Sequence, residues 1–402
     1  MKTLFWFVYR FVFPFIVFAL ITGCGSNGSM MTSSPNPSPS PQPTRVPNLV
    51  IVANRDNNSL STYAIAPSTG ELQFRDTVAS GGGGPIALAA HPSGNFIYVA
   101  NLIATDDSGG GGGVTAFSVD ANTGALTSIG ASVAAGSGPR TVTVHPNGKF
   151  LYGTSLLSNN IFAYAINPIT GALSPIGSPV ATGQAPVSLS LDTTGRYAYV
   201  VNADDNTIST FAIDADTGTL TSSGSPVPTA SFDPSFILVH ASGKFAYVAN
   251  AVSQTISTFS IDPTNGALTL MGSPAASCGT FPTALAADSQ GRFLYVSNIG
   301  TGDICTFAVN ATTGVLYSVG LPVHASDAPT SMGIDPSGSY LFVSKAQSNS
   351  ISEFAIDSTA GALTATGTPI PTGKTPSAVI ILDKQVTGAA STAVATIDPY
   401  AP

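Results

Sequence analysis

Charge is what this chain has least of. Lys and Arg number 13, Asp and Glu 21, and only 8% of the 402 residues are charged, where a soluble domain ordinarily carries about 25%. The few basic residues form no run, so the clustered cations that displace counterions from phosphate are missing, and nucleic-acid binding is excluded as a function class. Ser, Thr, Asn and Gly must supply most of the wetted surface, a balance that fits an exported β-protein. There is no Asp-x-Asp-x-Asp loop, which removes the simplest way of converging several oxygens on a calcium ion. The Gly-rich stretch Thr105 to Gly113 contains no Lys and precedes no helical pattern, so it reads as a flexible surface insertion and not as a phosphate cradle. Long apolar runs are also missing. The most apolar segment, Phe11 to Ile21, is too short for a comfortable membrane span.

That segment follows Lys2 and Arg10 and reads as the core of a targeting signal. Ile21-Thr22-Gly23-Cys24 closes it and looks like a bacterial lipobox, in which the Cys is acylated and the chain cut before it. The bland alternative is an ordinary cleaved signal or short anchor with an incidental Cys. From Gly25 to Pro47 the chain is mostly Gly, Ser, Pro, Asn and Gln, a semi-extended tether. The expected organisation is a lipoprotein signal over 1–23, the lipidated Cys24 and tether over 24–47, a folded body over 48–384 and a small-residue tail over 385–402. This layout predicts an exported protein of the bacterial cell envelope, held to a membrane by the lipid on Cys24 and facing away from it.

The body is a repeat. Gly-x-Leu recurs at Gly70, Gly124, Gly171, Gly218, Gly266, Gly314 and Gly361, at spacings of 54, 47, 47, 48, 48 and 47 residues, the long first step holding the Thr105–Gly113 insertion. Its fuller form, Asp262-Pro263-Thr264-Asn265-Gly266-Ala267-Leu268, suits a tight hairpin with a left-handed Gly. Half a period away lies an aromatic-x-aromatic-Val run ending in Asn, as at Phe96–Asn101, Tyr197–Asn202, Phe245–Asn250 and Phe293–Asn298. A run opening in Pro precedes each and an alternating run follows, which makes four short strands per repeat. Seven such units predict an all-β, seven-bladed propeller with four antiparallel strands per blade. The body opens at Asn48 with the second strand of a blade and ends in an unpaired first strand, Pro376 to Leu382. The C-terminal strand is therefore predicted to complete the N-terminal blade and close the ring.

These repeats, together with Gly136-Ser137-Gly138-Pro139-Arg140-Thr141-Val142-Thr143-Val144-His145 and the run on to Asn160, resemble the lactonase-like seven-bladed propellers, which include 6-phosphogluconolactonases and the Tyr-Val-Thr-Asn-repeat surface proteins. The resemblance covers Asn48 to Lys384. It implies a Gly-Pro-Arg-His stretch and an Asn-Glu-Leu-Ser-Asn loop in active members. Here Arg140 matches, but Thr141 stands at the His, Ser155 and Leu156 stand at the Asn and Glu, and Ile86 falls where an earlier family His is implied. Lactone opening needs a positioned acid or base and a donor for the developing oxyanion, and of that set Arg140 remains.

The candidate ligand-binding residues are Arg140, Asp204, Asp205 and His324. Asp106, Asp107, Asp204, Asp205 and Asp303 follow second strands and belong to the mouth of the ring, where solvated loop acids are the bland reading. His91, His145 and His240 share a repeat position with Asp192, Asp288 and Asp335 and read as turn-stabilising. Cys278 and Cys305 fall in one repeat; they read as a disulfide of an oxidising compartment, the alternative being buried free thiols. No metal site and no cofactor is expected. The functional expectation is a lipid-anchored binding or scaffold propeller with a degenerate lactonase site, taking a small molecule, glycan or protein at its mouth. A lactone hydrolase and a structural cell-surface repeat protein are the rivals.

Overall fold

The aromatic-x-aromatic-Val runs form strands covered on both faces. Every residue of Phe245–Asn250 and of Phe293–Asn298 is buried, because each strand lies between two others in its own sheet and between two neighbouring blades. The computed structural model describes residues 48–66, 69–104, 111–325 and 328–382, all within one compact unit spanning 45–402. The targeting segment, Cys24, its tether, Asp106, Asp107, Asp327 and the tail over 385–402 lie outside the described residues.

Seven antiparallel sheets make the seven blades. In blade 1 the order from the axis outward is Pro376–Leu382, Leu49–Asn54, Ser59–Ile65, Leu72–Ala79. The C-terminal strand thus supplies the inner strand of the N-terminal blade, with Leu49 opposite Leu382 and Val52 opposite Val379. The inner strands of blades 2 to 7 are Gly82–Ala90, Pro139–Val144, Pro186–Leu191, Pro234–Val239, Pro282–Ala287 and Pro329–Ile334. Each touches the next around the axis, and the last touches Pro376–Leu382. In blades 2 to 5 the outer strand is broken in two, as at Leu126–Ser128 and Val133–Ala134, both of which pair with Gly113–Val119.

The two sequence repeats turn out to be halves of one joint between blades. Gly171, in a hairpin of blade 3, has φ 73° and lies against Phe96 of blade 2, whose ring would stand 2.4 Å from any Cβ placed there. Gly218 of blade 4 meets Phe150 of blade 3 in the same way. Two residues on from each Phe, a buried Tyr donates its hydroxyl to the same Gly carbonyl: Tyr98 to Gly171 at 3.2 Å and Tyr152 to Gly218 at 2.9 Å. Burial pushes both phenols well above the usual range, the Asp214 charge adding to it at Tyr152, so they remain donors.

A second joint sits at the same face. His91, His145 and His240 close their own turns by accepting backbone N–H groups at Nδ1, and they reach across to a carbonyl of the next blade through Nε2: Gly148 at 2.9 Å, Gly195 at 2.8 Å and Gly291 at 2.6 Å. Turn closure is therefore only part of their role. Where the position is Asp, as at Asp192 and Asp335, the carboxylate serves its own turn. All three imidazoles are thereby placed at the face opposite the mouth.

Candidate functional site

The mouth is built by a repeated backbone device. The residue before each inner-strand Pro (Pro85 in blade 2) adopts a left-handed conformation: Gly84, Gly138, Ala185, Asp233, Phe281, Ala328 and Thr375, with φ between 52° and 65°. Such a conformation costs a non-glycine residue about 1–2 kcal/mol and persists where its surroundings enforce it. Here side chains of the preceding blade do so: Asn58, Asn159, Asn206 and Asn349 accept the N–H of Gly84, Ala185, Asp233 and Thr375 at 2.7–2.8 Å.

After each Pro the ladder slips by one residue, a bulge that re-aims a side chain. Four of the bulged residues carry hydroxyls that donate to the carbonyl opening the next blade: Ser235 to Pro282 at 2.6 Å, Thr283 to Pro329 at 3.5 Å, Thr330 to Pro376 at 2.8 Å and Ser377 to Pro85 at 2.7 Å. The other three are Ile86, Arg140 and Val187, consecutive around the ring and all buried. Arg140 is thus flanked by hydrocarbon on both neighbouring blades.

Level with each strand-opening Pro, the Asn that ends most second strands is structural. Asn54, Asn202 and Asn250 donate Nδ2 at 2.9 Å to Ser61, Ser209 and Ser257 of their third strands. Blade 3 replaces the Asn with Ser155 and blade 7 with Lys345, which is 2% exposed. Lys345 was missed in the sequence, although a cation at a repeat position otherwise filled by Asn or Ser was the signal that could have found it. In blade 6 the third-strand Ser is Cys305; Asn298 contacts its sulfur at 3.3 Å, and Cys305 is joined to Cys278 across a Cα separation of 6.3 Å.

The candidate residues occupy different blades. Asp204 lies in the mouth loop of blade 4, where it faces Asp233 of blade 5. Burial and that neighbouring charge push the Asp233 carboxyl above its ordinary value. Asp233 was not singled out in the sequence; nothing there marks a pre-proline loop residue as a partner of the preceding blade. Asp205 accepts the backbone N–H of Gln184 at 2.7 Å, a loop tie that Asn57 makes to Lys374 in blade 1 and Ser253 to Phe232 in blade 5. His324 ends the outer strand of blade 6 and pairs with Asp303 at 3.0 Å, on the rim and far around the ring from blade 3. Thr141 is buried opposite Thr154, and neither hydroxyl has a hydrogen-bond partner. Leu156 packs in the cluster that includes Val187 and Val201.

The sequence model described as lactonase, 7-bladed beta-propeller, matches residues 45–143, 137–232 and 230–381. The chain belongs to this lactonase family. Its fold is shared with a candidate 6-phosphogluconolactonase of Bacteroides uniformis at 22% identity and TM-score 0.74, covering 84% of this chain and 99% of that one. A second candidate 6-phosphogluconolactonase, from Bacteroides fragilis, aligns at 23% identity and TM-score 0.71 over 86% and 100% of the two chains. A periplasmic gluconolactonase of Pseudomonas aeruginosa aligns at 19% and 0.72 over 84% and 99%. No curated protein matches by sequence.

Cavities are present at both faces of this lactonase-family propeller. At the mouth, a cavity of about 360 Å³ lies off the axis between blades 1, 6 and 7 and includes Arg55, Asp56, Ile299, Thr330, Gln347 and Lys374 in its wall. The Thr375 hydroxyl at 2.6 Å and the Arg55 guanidinium at 3.3 Å hold Asp56 below the usual carboxylate range. At the far face a cavity of about 420 Å³ is bounded largely by the apolar ends of inner strands, Leu189, Phe236 and Leu238 among them. Among the described residues no three His, Cys, Asp or Glu side chains are grouped to hold a metal ion.

Proposed function

We propose that this lactonase-family propeller is a lipid-anchored envelope protein that binds a small organic acid or lactone at its mouth and does not turn it over. The observation that carries this reading is the bulge level of blades 2 to 4. Arg140 supplies one cation there, while Ile86, Thr141 and Leu156 supply hydrocarbon and a buried hydroxyl at the positions where the family resemblance implies its acid–base groups. The imidazoles are committed elsewhere, three to blade joints at the far face and His324 to Asp303. Anchoring is supported by the Ile21–Cys24 sequence. Leu49 and Leu382, the ends of the paired strands, lie together at the face opposite the mouth. Radiolabelled palmitate incorporated by the wild type and lost in Cys24→Ser tests the anchor. A screen of gluconolactone and simple γ- and δ-lactones tests the mouth, with saturable binding and no product expected.

The Asp204–Asp233 pair favours one rival. A carboxyl held above its ordinary value beside a second carboxylate, as Asp233 is beside Asp204, is raw material for acid–base catalysis. Lactone turnover by the wild type that falls at least 100-fold in Asp233→Asn would establish a hydrolase and remove the binding-only reading.

A further inference from the structure

Phe281 is in the wrong place for stability. It occupies the pre-proline position of blade 6 with φ 54°, and its side chain remains 46% exposed. The equivalent residues are Gly84, Gly138, Ala185, Asp233, Ala328 and Thr375, none aromatic. A bulky residue in the left-handed region is a backbone outlier, and burial does not compensate it here. Strain of this kind, held in an otherwise regular repeat, points toward function.

Phe281 adjoins the off-axis mouth cavity through Ile299, one of the residues in its wall. Its carbonyl accepts the N–H of Ile299 at 3.0 Å, and its ring lies against Gly300. Ile299, Ala328 and Ala346 form an apolar side of that cavity, while Arg55 and Lys374 bring cations from blade 1. Asp56 is bound to Arg55 and Thr375, so the lining carries two cations and one carboxylate. The acidic Asp204 and Asp233 sit on blades 4 and 5, across the mouth. The cavity therefore has a cationic side and an apolar side, the exposed Phe281 ring standing next to Ile299 of the latter, in a volume of about 360 Å³, within the usual range for small-molecule sites.

We infer that this cavity binds a monocarboxylate with a hydrocarbon arm, the carboxylate toward Lys374 and Arg55 and the arm along Ile299 and Phe281. This rests on the proposal that the mouth takes an organic acid or lactone, and it names the class: an alkyl or aryl acid in preference to a polyhydroxylated sugar acid. The bulge-level hydroxyl in the cavity wall, that of Thr330, is donated to the Pro376 carbonyl of the next blade.

The test is calorimetric titration of the purified folded protein with butyrate, hexanoate, octanoate, octanamide and gluconate, beside γ-octanolactone and gluconolactone. Octanoate should bind most tightly, with affinity rising about threefold to fourfold per methylene from butyrate onward. Octanamide and gluconate should each bind at least tenfold more weakly. Lys374→Glu, at an exposed position, should cost octanoate at least tenfold. Phe281→Gly should flatten the chain-length dependence while raising the melting temperature, because it relieves the backbone; that paired result separates a lost site from a damaged fold. Gluconate binding as tightly as octanoate, or octanoate binding that is unchanged in Phe281→Gly, overturns the inference and leaves the broader mouth reading standing. Binding of none of the acids overturns the inference, and if both lactones are also silent the broader reading falls with it.

Discussion

At the scale of single residues, the joint between Gly218 and Phe150 shows how a motif can be visible and still be misunderstood. The Gly-x-Leu repeat was readable as a hairpin signal, and its left-handed glycine is present at φ 72°. What the sequence could not show is that Phe150 of the preceding blade lies 2.5 Å from where a Cβ would stand, because contacts between repeats leave no periodic trace distinct from the repeat itself. Gly218→Ala should therefore cost about 3 kcal/mol, part from the left-handed backbone and part from displacing the ring, read as a shift in the urea midpoint. Glu353 makes the opposite prediction. It is buried, and burial, with Glu71 and Asp335 nearby, raises its carboxyl above the ordinary 4.5 against the opposing Thr366 hydrogen bond. The folded state then holds this proton more tightly than the unfolded chain, so stability is lost as pH climbs above 4.5. Glu353→Gln should melt higher than wild type at pH 7, with the gain vanishing as pH falls through 4.5.

At the scale of the blade, strands were legible because alternation and turn residues fix them locally, whereas the ties between blades were not. His91, His145 and His240 were recognisable as turn residues from their shared position with Asp192, Asp288 and Asp335. Their reach to Gly148, Gly195 and Gly291 depends on an imidazole being longer than a carboxylate. Burial lowers the His91 pKa from 6.5, only partly offset by the Gly148 carbonyl. The neutral ring is thus favoured in the fold, and its contribution is complete above pH 6.5 and declines as pH falls below it. Wild-type stability should drop between pH 6.5 and 5 more steeply than that of His91→Asn, which starts lower and does not titrate there. In blade 6, reducing the Cys278–Cys305 bond opens a loop of sequence separation 27 and should cost about 3.5 kcal/mol in the chain-entropy picture. The double Cys→Ser variant should match the reduced protein in thermal unfolding, since Ser257 shows that a hydroxyl fits this position and bonds the Thr229 carbonyl.

At the scale of the whole ring, the seam was the most legible feature of all. A body that opens on a second strand and closes on an orphan first strand has one economical solution, and Pro376–Leu382 beside Leu49–Asn54 is that solution. The candidate site was less so. Arg140 could be placed on its strand, yet the bulge that sets its level and the left-handed residues before each proline follow from backbone geometry that ordinary residues such as Phe281 and Thr375 do not advertise. The seam also has a mechanical meaning. Strand Leu49–Asn54 runs antiparallel to both neighbours, with Leu49 opposite Leu382 on one side and Ala64 on the other. A pull between residues 48 and 382, which lie at the same end of the shared ladder, acts on its last rung, so the rungs open one after another instead of being sheared together. Tension between the two ends of the body would therefore peel the seam of blade 1 first, while blades 3 to 6, which carry Arg140, Asp204 and Phe281, bear load only after the ring has opened.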